Sequence, residues 1–228
     1  MEQLSFDLPR RTALGRADFF VAPPNAHAVA MMDGWQNWPN HKLVLTGPEG
    51  SGKTHLTHIW AQMAGAPVVA AKELLTEDVP RLAQTPLAVE DVPQIAQNAP
   101  AQEALFHLHN QMQSAGHSLL LTGRGAVGDW GLTLPDLASR MGGTLAVALD
   151  PPDDRMLMAV MMKLFADRQL NPAPDLIPYA VKRLERSFAA AGAFVDALDR
   201  AALAQKAPLT RAFAQKTLSE LSLGASCN

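Results

Sequence analysis

Between about residue 43 and residue 149, short apolar runs alternate with stretches of helical period. Leu43–Thr46, Pro67–Ala71, Leu87–Glu90, Ser118–Thr122 and Leu145–Leu149 are apolar almost throughout rather than at every second position. That is the pattern of strands covered on both faces. Helices are predicted to start near Gly52, Val79, Ala101 and Leu134, with another upstream around Asn25–Trp35. Strands and helices in alternation predict a parallel α/β sheet. After Leu149 the pattern changes. Asp150-Pro151-Pro152-Asp153-Asp154 stops a strand and offers carboxylates to a helix N-terminus. From Arg155 onward only helices are predicted, broken at Asn171–Pro174 and Ala207–Pro208. The expected organisation is an extended segment over 1–16, an α/β domain over 17–151 and a small helical domain over 152–228.

One motif converts this pattern into chemistry. Gly47-Pro48-Glu49-Gly50-Ser51-Gly52-Lys53-Thr54 matches G-x-x-x-x-G-K-T in full. Lys42–Thr46 reads as the strand before it, and His55-Leu56-Thr57-His58-Ile59-Trp60 continues as a helix. Glycines in such a loop let backbone N–H groups close around phosphates at a helix N-terminus. Lys53 is placed to neutralise phosphate charge and the Thr54 hydroxyl to ligate Mg²⁺. Gly47, Pro48, Gly50, Ser51, Gly52, Lys53, Thr54 and His55 are therefore the expected contacts of ADP or ATP.

A phosphate loop works with an acidic element at the end of a neighbouring strand. Leu87-Ala88-Val89 runs into Glu90 and Asp91. Glu90 is expected at the Mg²⁺ and Asp91 at the attacking water. The position more commonly holds Asp, so the longer Glu90 alters the metal geometry. Two solvated carboxylates at a strand end are the plainer reading.

Composition narrows the classes. The formal net charge of −3 lacks the basic excess of a chain built mainly to grip nucleic acid. The single cysteine, Cys227, excludes an intrachain disulfide and a thiolate metal cluster, which fits a reducing cytoplasm. The chain begins without the apolar run of a signal peptide, and no apolar stretch approaches a membrane span. The seven histidines are scattered without ligand spacing.

The motifs in their order resemble a family. The phosphate loop, the paired acids, Leu119-Leu120-Leu121-Thr122-Gly123, Leu134-Pro135-Asp136-Leu137-Ala138-Ser139-Arg140, Val147-Ala148-Leu149-Asp150-Pro151-Pro152 and Lys182-Arg183-Leu184 follow one another as in the AAA+ module of the bacterial replication initiator DnaA. Asp18-Phe19-Phe20-Val21, with Asn25 after it, resembles the stretch that encloses adenine there, which implicates Phe20 and Val21. The resemblance spans about Ala17 to Leu221. It implies an AAA+ phosphate-loop sheet flanked by helices, a C-terminal helical lid and a homo-oligomer. Arg140 matches the arginine that such proteins project into a neighbour's nucleotide, although a helix-end arginine with a local partner has the same sequence. Thr122 matches the polar residue that orients water near the terminal phosphate, and it also suits an ordinary strand. The lid arginine of the family falls here on Ala189; either Arg186 serves from a shifted register or that contact is absent.

Two differences point to a regulatory branch. The chain stops soon after the lid, where the initiator continues into a DNA-binding domain. It opens with Gln3-Leu4-Ser5-Phe6-Asp7-Leu8, which resembles the peptide that docks proteins onto the DNA polymerase III β sliding clamp. In such a peptide Gln3 and Ser5 would offer polar contacts, with Leu4, Phe6 and Leu8 entering an apolar groove. An alternating edge strand is the other reading. The combination is similar to the Hda family, clamp-bound AAA+ regulators that promote hydrolysis of DnaA-bound ATP and so limit initiation. The resemblance implies DnaA and the clamp as partners, stimulation of a partner's ATPase with at most weak hydrolysis of its own, and no strong direct binding of nucleic acid or membrane. An ATP-driven initiator or loader accessory is the competing reading, and a small-molecule kinase a more distant one.

Overall fold

The computed structural model describes residues 20–75, 77–205 and 207–225. Five parallel strands form one sheet in the order β2-β3-β4-β1-β5: β1 Lys42–Thr46, β2 Val68–Ala70, β3 Leu87–Glu90, β4 Leu119–Gly123 and β5 Ala146–Ala148. All five expected strands are present, with every end within one residue of that expected.

Alternation along the strands divides the core. Leu43 and Leu45 of β1, Ala88 of β3 and Leu120 of β4 face one side of the sheet. There they pack on helices α1 (Pro23–Asp33) and α2 (Lys53–Ala64) through Met32, Leu56, Ile59 and Trp60. Trp60 stacks on Trp38 with ring centroids 5.3 Å apart. Val44, Leu87, Val89, Leu119 and Leu121 face the other side, under α3 (Val79–Leu82), α4 (Ala99–Ala115) and α5 (Pro135–Gly142). Side chains of a strand point alternately to opposite faces, so every second residue belongs to each core. Both faces are covered, hence the unbroken apolar runs. The helix expected from Val79 is only the four residues of α3, because Pro80 allows a first turn and the polar, small residues that follow give no second apolar face.

The last four helices have a core of their own. They are α6 (Asp154–Asp167), α7 (Leu176–Val181), α8 (Phe188–Gln205) and α9 (Arg211–Ala225). Leu157, Met161, Phe165, Phe194, Val195 and Leu198 lie at its centre. Asp153 caps α6 by accepting the Met156 N–H at 2.8 Å, and Arg168 at its end pairs with Asp196 of α8. The predicted breaks at Asn171–Pro174 and Ala207–Pro208 fall between these helices. Residues 182–187 form a further break that no proline announces.

Strand order matters for the site. β4 lies between β1 and β3, so the strand ending in Glu90 is not the neighbour of the phosphate-loop strand, as expected from the sequence, but its second neighbour. Parallel register puts Thr46, Gly123 and Glu90 at one edge of the sheet and Lys42, Leu119 and Leu87 at the other. The two edges of β1 are four residue steps apart, roughly 13 Å.

Candidate functional site

The loop between β1 and α2 curves into a cradle because its glycines permit it. At Gly47 φ is +151°, and a Cβ there would lie 2.7 Å from the Leu149 carbonyl oxygen and 2.8 Å from Ser51 Oγ. At Gly50 φ is +68°, and a Cβ would meet Ser187 at 2.6 Å. The loop therefore runs flush against the end of β5 on one side and the start of α8 on the other. Glu49 and Gly50 form its turn, closed by the Ser51 N–H on the Pro48 carbonyl at 3.4 Å, Gly52 leads into α2, and Ser51 Oγ is buried without a hydrogen-bond partner.

Lys53, the first residue of α2, curls back and donates to the carbonyls of Gly47 at 2.8 Å and Pro48 at 2.7 Å. Burial of its ammonium lowers its pKa below the usual lysine value, against the attraction of Asp91. Lys53 and Thr54 share a cavity of about 430 Å³ with Gly50, Asp91, Arg124 and Phe188. Arg124 reaches across its mouth to Glu49 at 2.7 Å, both side chains being exposed.

The acidic pair divides between two environments. Glu90, at the end of β3, hydrogen-bonds through its side chain with Thr54, while its Oε1 is buried with no partner. Burial raises its pKa above the ordinary carboxylate value. Asp91 adopts a left-handed conformation, φ +58°, which turns it off the strand and into the cavity. Its backbone N–H donates to Thr122 Oγ1 at 3.1 Å. Thr122, on the intervening strand β4, is 1 % exposed and thus braces Asp91 from below rather than lining the cavity.

Among the described residues, the lid side of the cavity presents no arginine. Phe188 and Ala189 face the phosphate loop, and the Phe188 N–H donates to the Gly50 carbonyl at 2.8 Å. Arg186 is turned away to an exposed pair with Asp154 at 3.1 Å. Of the alternatives left open at this position, the absence of a lid arginine from the cavity fits the geometry, and substitution by Arg186 does not. Ser187 and Phe188 were not singled out by motif, because their contact with the loop is long-range.

His55 follows Thr54 on α2 outside the cavity lining. Phe20 and Val21 are 47 % and 44 % exposed and also lie outside it. They are nevertheless at the same edge: Asn25 donates to the Phe20 carbonyl at 2.9 Å, and the Asp150 N–H, next to Leu149, donates to the Pro24 carbonyl at 3.1 Å. Asp18 and Phe19 of that stretch lie outside the described residues, as do Gln3, Leu4, Ser5, Phe6 and Leu8 of the clamp-like peptide.

Arg140 is not in this cavity. It is exposed in the last turn of α5, where a cation suits the helix dipole. It lines a second pocket with Lys42 and His109, at the opposite edge of the sheet. The start of α5 is fixed from below by Gln102, fully buried on α4. Its carbonyl accepts the N–H groups of Thr133 and Leu134, both at 2.9 Å, and its amide donates to the Ala96 carbonyl at 2.8 Å. Sequence reading missed Gln102, because the N–H groups it accepts lie 31 and 32 positions away.

Among the described residues no helix is long and apolar enough to cross a membrane, and no group of three or more His, Cys, Asp or Glu side chains is arranged to hold a metal ion.

No known protein-family model matches the chain. Solved structures do resemble it. Domain III of the replication initiation protein DnaA from Thermotoga maritima superposes with a TM-score of 0.81 at 16 % identity, over 93 % of this chain and 98 % of that one. The AMPPCP-bound DnaA of Aquifex aeolicus gives 0.68 at 15 % identity, over 79 % of this chain and 63 % of that one. A point variant of Thermotoga maritima RuvB gives 0.68 at 18 % identity, over 88 % of this chain and 70 % of that one. Identities this low establish likeness of fold alone: a five-stranded parallel sheet flanked by helices that superposes on those of DnaA and RuvB.

Proposed function

We propose that this chain is a DnaA-related AAA+ regulator that holds ADP or ATP in its own phosphate loop and uses Arg140 on the ATP of a second protein, DnaA. The observation that carries this reading is the separation of Arg140 from Lys53. The guanidinium at one edge of the sheet and the phosphate loop at the other support a role for Arg140 on a nucleotide presented by another molecule. A planar, permanently charged guanidinium suits charge developing on a transferred phosphoryl group.

Nucleotide holding is supported by the cradle at Gly47, the unpartnered Ser51 hydroxyl and the Lys53 ammonium. Lys53 is held on loop carbonyls that phosphate oxygens would replace. The solved DnaA relative bound to AMPPCP agrees with this. Thr54 and Glu90 fit a Mg²⁺: they are already in contact, and the free Oε1 of Glu90 is an open acceptor for the ion or its water. Mg²⁺ there would neutralise β/γ-phosphate charge. Phe188 and Ala189 supply no cation from the lid side, which favours retention of nucleotide over hydrolysis by the chain itself. The C-terminal helices would act as a lid domain over 152–228. Gln3, Leu4, Ser5, Phe6 and Leu8 would dock on the sliding clamp, a reading supported by the sequence of that segment. The test is single-turnover hydrolysis of ATP preloaded on DnaA, with clamp on DNA and with or without this chain. Acceleration is expected, and none with clamp binding intact would remove the regulatory reading.

A further inference from the structure

The pocket beside Arg140 contains an unusual lysine. Lys42 opens β1 and is only 2 % exposed, because the end of α4 covers it. Its Nζ meets His109 Nδ1 at 3.1 Å and Gln113 Oε1 at 3.0 Å. An ammonium has three N–H donors, so one remains. Among the described residues neither Lys42 nor Arg140 forms an ion pair. The charged neighbour that acts on Lys42 is Arg140, a second cation; burial and that repulsion lower the Lys42 pKa to about 8. His109 is pushed down to about 4 by burial, Lys42 and Arg140. At neutral pH the imidazole is therefore uncharged and accepts from a charged Lys42. Holding a cation in such a place is costly unless an anion completes it. The pocket is about 200 Å³, several times the ~30 Å³ of a water molecule. Its other walls carry the side chains of Asn40 and Ser139, which can donate hydrogen bonds, and of Thr144, whose hydroxyl donates to the Arg140 carbonyl at 2.8 Å; none of its lining residues is acidic.

We propose that this pocket is a phosphate site, in which Lys42 and Arg140 together take the terminal phosphate of a nucleotide presented by a second molecule. The part played by the second molecule rests on the reading of Arg140 as a residue acting in trans; the phosphate site itself does not. Arg140 supplies the mobile, exposed fork and Lys42 the fixed charge at the floor. The neutral tie of Lys42 to His109 and Gln113 orients its third N–H.

The full chain carrying Lys53→Ala, which silences the phosphate loop, is labelled at histidine and titrated with inorganic phosphate while the His109 resonances are followed by NMR. Chloride at equal ionic strength is the control. A saturable shift is expected with phosphate and not with chloride. Lys42→Gln and, separately, Arg140→Gln in the same background should each weaken it by about tenfold or more, the worth of one charged hydrogen bond. Arg140 is exposed, so its variant keeps the test valid if Lys42→Gln destabilises the fold. A linear response equal to that with chloride, or saturation unaffected by Arg140→Gln, overturns the site. A second arm places Lys42→Gln in the DnaA hydrolysis assay, where a loss of rate of about tenfold or more is expected. Phosphate binding with an unchanged trans rate would confine the site to free phosphate and overturn the nucleotide assignment. Loss of the phosphate site with Arg140-dependent stimulation intact would overturn this inference and leave the regulatory function standing.

Discussion

Substituting Gly50 by alanine should uncouple the phosphate loop from the lid. The residue sits at φ +68°, where a side chain costs about 1–2 kcal/mol of backbone strain. A Cβ there would also lie 2.6 Å from Ser187 Cβ and 2.7 Å from Ser187 Oγ, so the start of α8 must retreat. Retreat would stretch the 2.8 Å hydrogen bond from the Phe188 N–H to the Gly50 carbonyl, worth about 1 kcal/mol. Together these terms come to about 2–3 kcal/mol. For a chain of 228 residues that is a fall in melting temperature of roughly 4–12 °C. Thermal unfolding without nucleotide measures it. Adding Ser187→Gly removes the collision but not the backbone strain, so the double variant should recover about 1 kcal/mol relative to the sum of the singles. A Gly50→Ala protein that melts within a degree of the parent would refute the direct coupling of loop and lid.

Lys53→Ala should weaken ADP and ATP binding by at least ~2 kcal/mol, some thirtyfold, by removing the charged donor of the cradle; calorimetry showing parental affinity would sink the site. Gln102→Leu removes the shared acceptor of the Thr133 and Leu134 N–H groups, on an exposed and a half-buried residue, and should cost about 1–3 kcal/mol in denaturant unfolding, with trans stimulation falling as α5 loosens. Alanine at Gln3, Leu4 and Phe6 should abolish co-elution with the clamp and leave nucleotide affinity unchanged; undiminished co-elution would favour the edge-strand reading.

The phosphate loop was legible because its chemistry is local. Gly47 to Thr54 must be contiguous to wrap a phosphate, and the flanking strand and helix are continuous runs. Asp91 and Thr122 were each visible as strand-end polar residues, but not the hydrogen bond between them. That bond exists because β4 inserts between β1 and β3, and strand order depends on how α/β units fold back rather than on any residue in the strands. Lys42 was visible only as the first residue of a strand. It is buried only because α4, some sixty-seven positions on, brings His109 over it. Gln102 escaped notice because the Thr133 and Leu134 N–H groups that it accepts belong to a distant segment. Arg140 was visible as a motif, while its distance from Lys53, which gives the motif its meaning, required the three-dimensional register of the sheet.

Single-turnover hydrolysis of labelled ATP on DnaA, with clamp on DNA, tests the role of Arg140 most directly. Arg140→Ala should fold, bind nucleotide and bind clamp, since the side chain is exposed and remote from the phosphate loop. It should nevertheless lose most of the stimulation, which for arginine fingers amounts to about 10³–10⁵ in rate. Arg140→Lys should recover little, because an ammonium cannot reproduce the planar fork. Stimulation by Arg140→Ala equal to that of the parent would contradict the account and turn attention to Arg124 at the mouth of the nucleotide cavity.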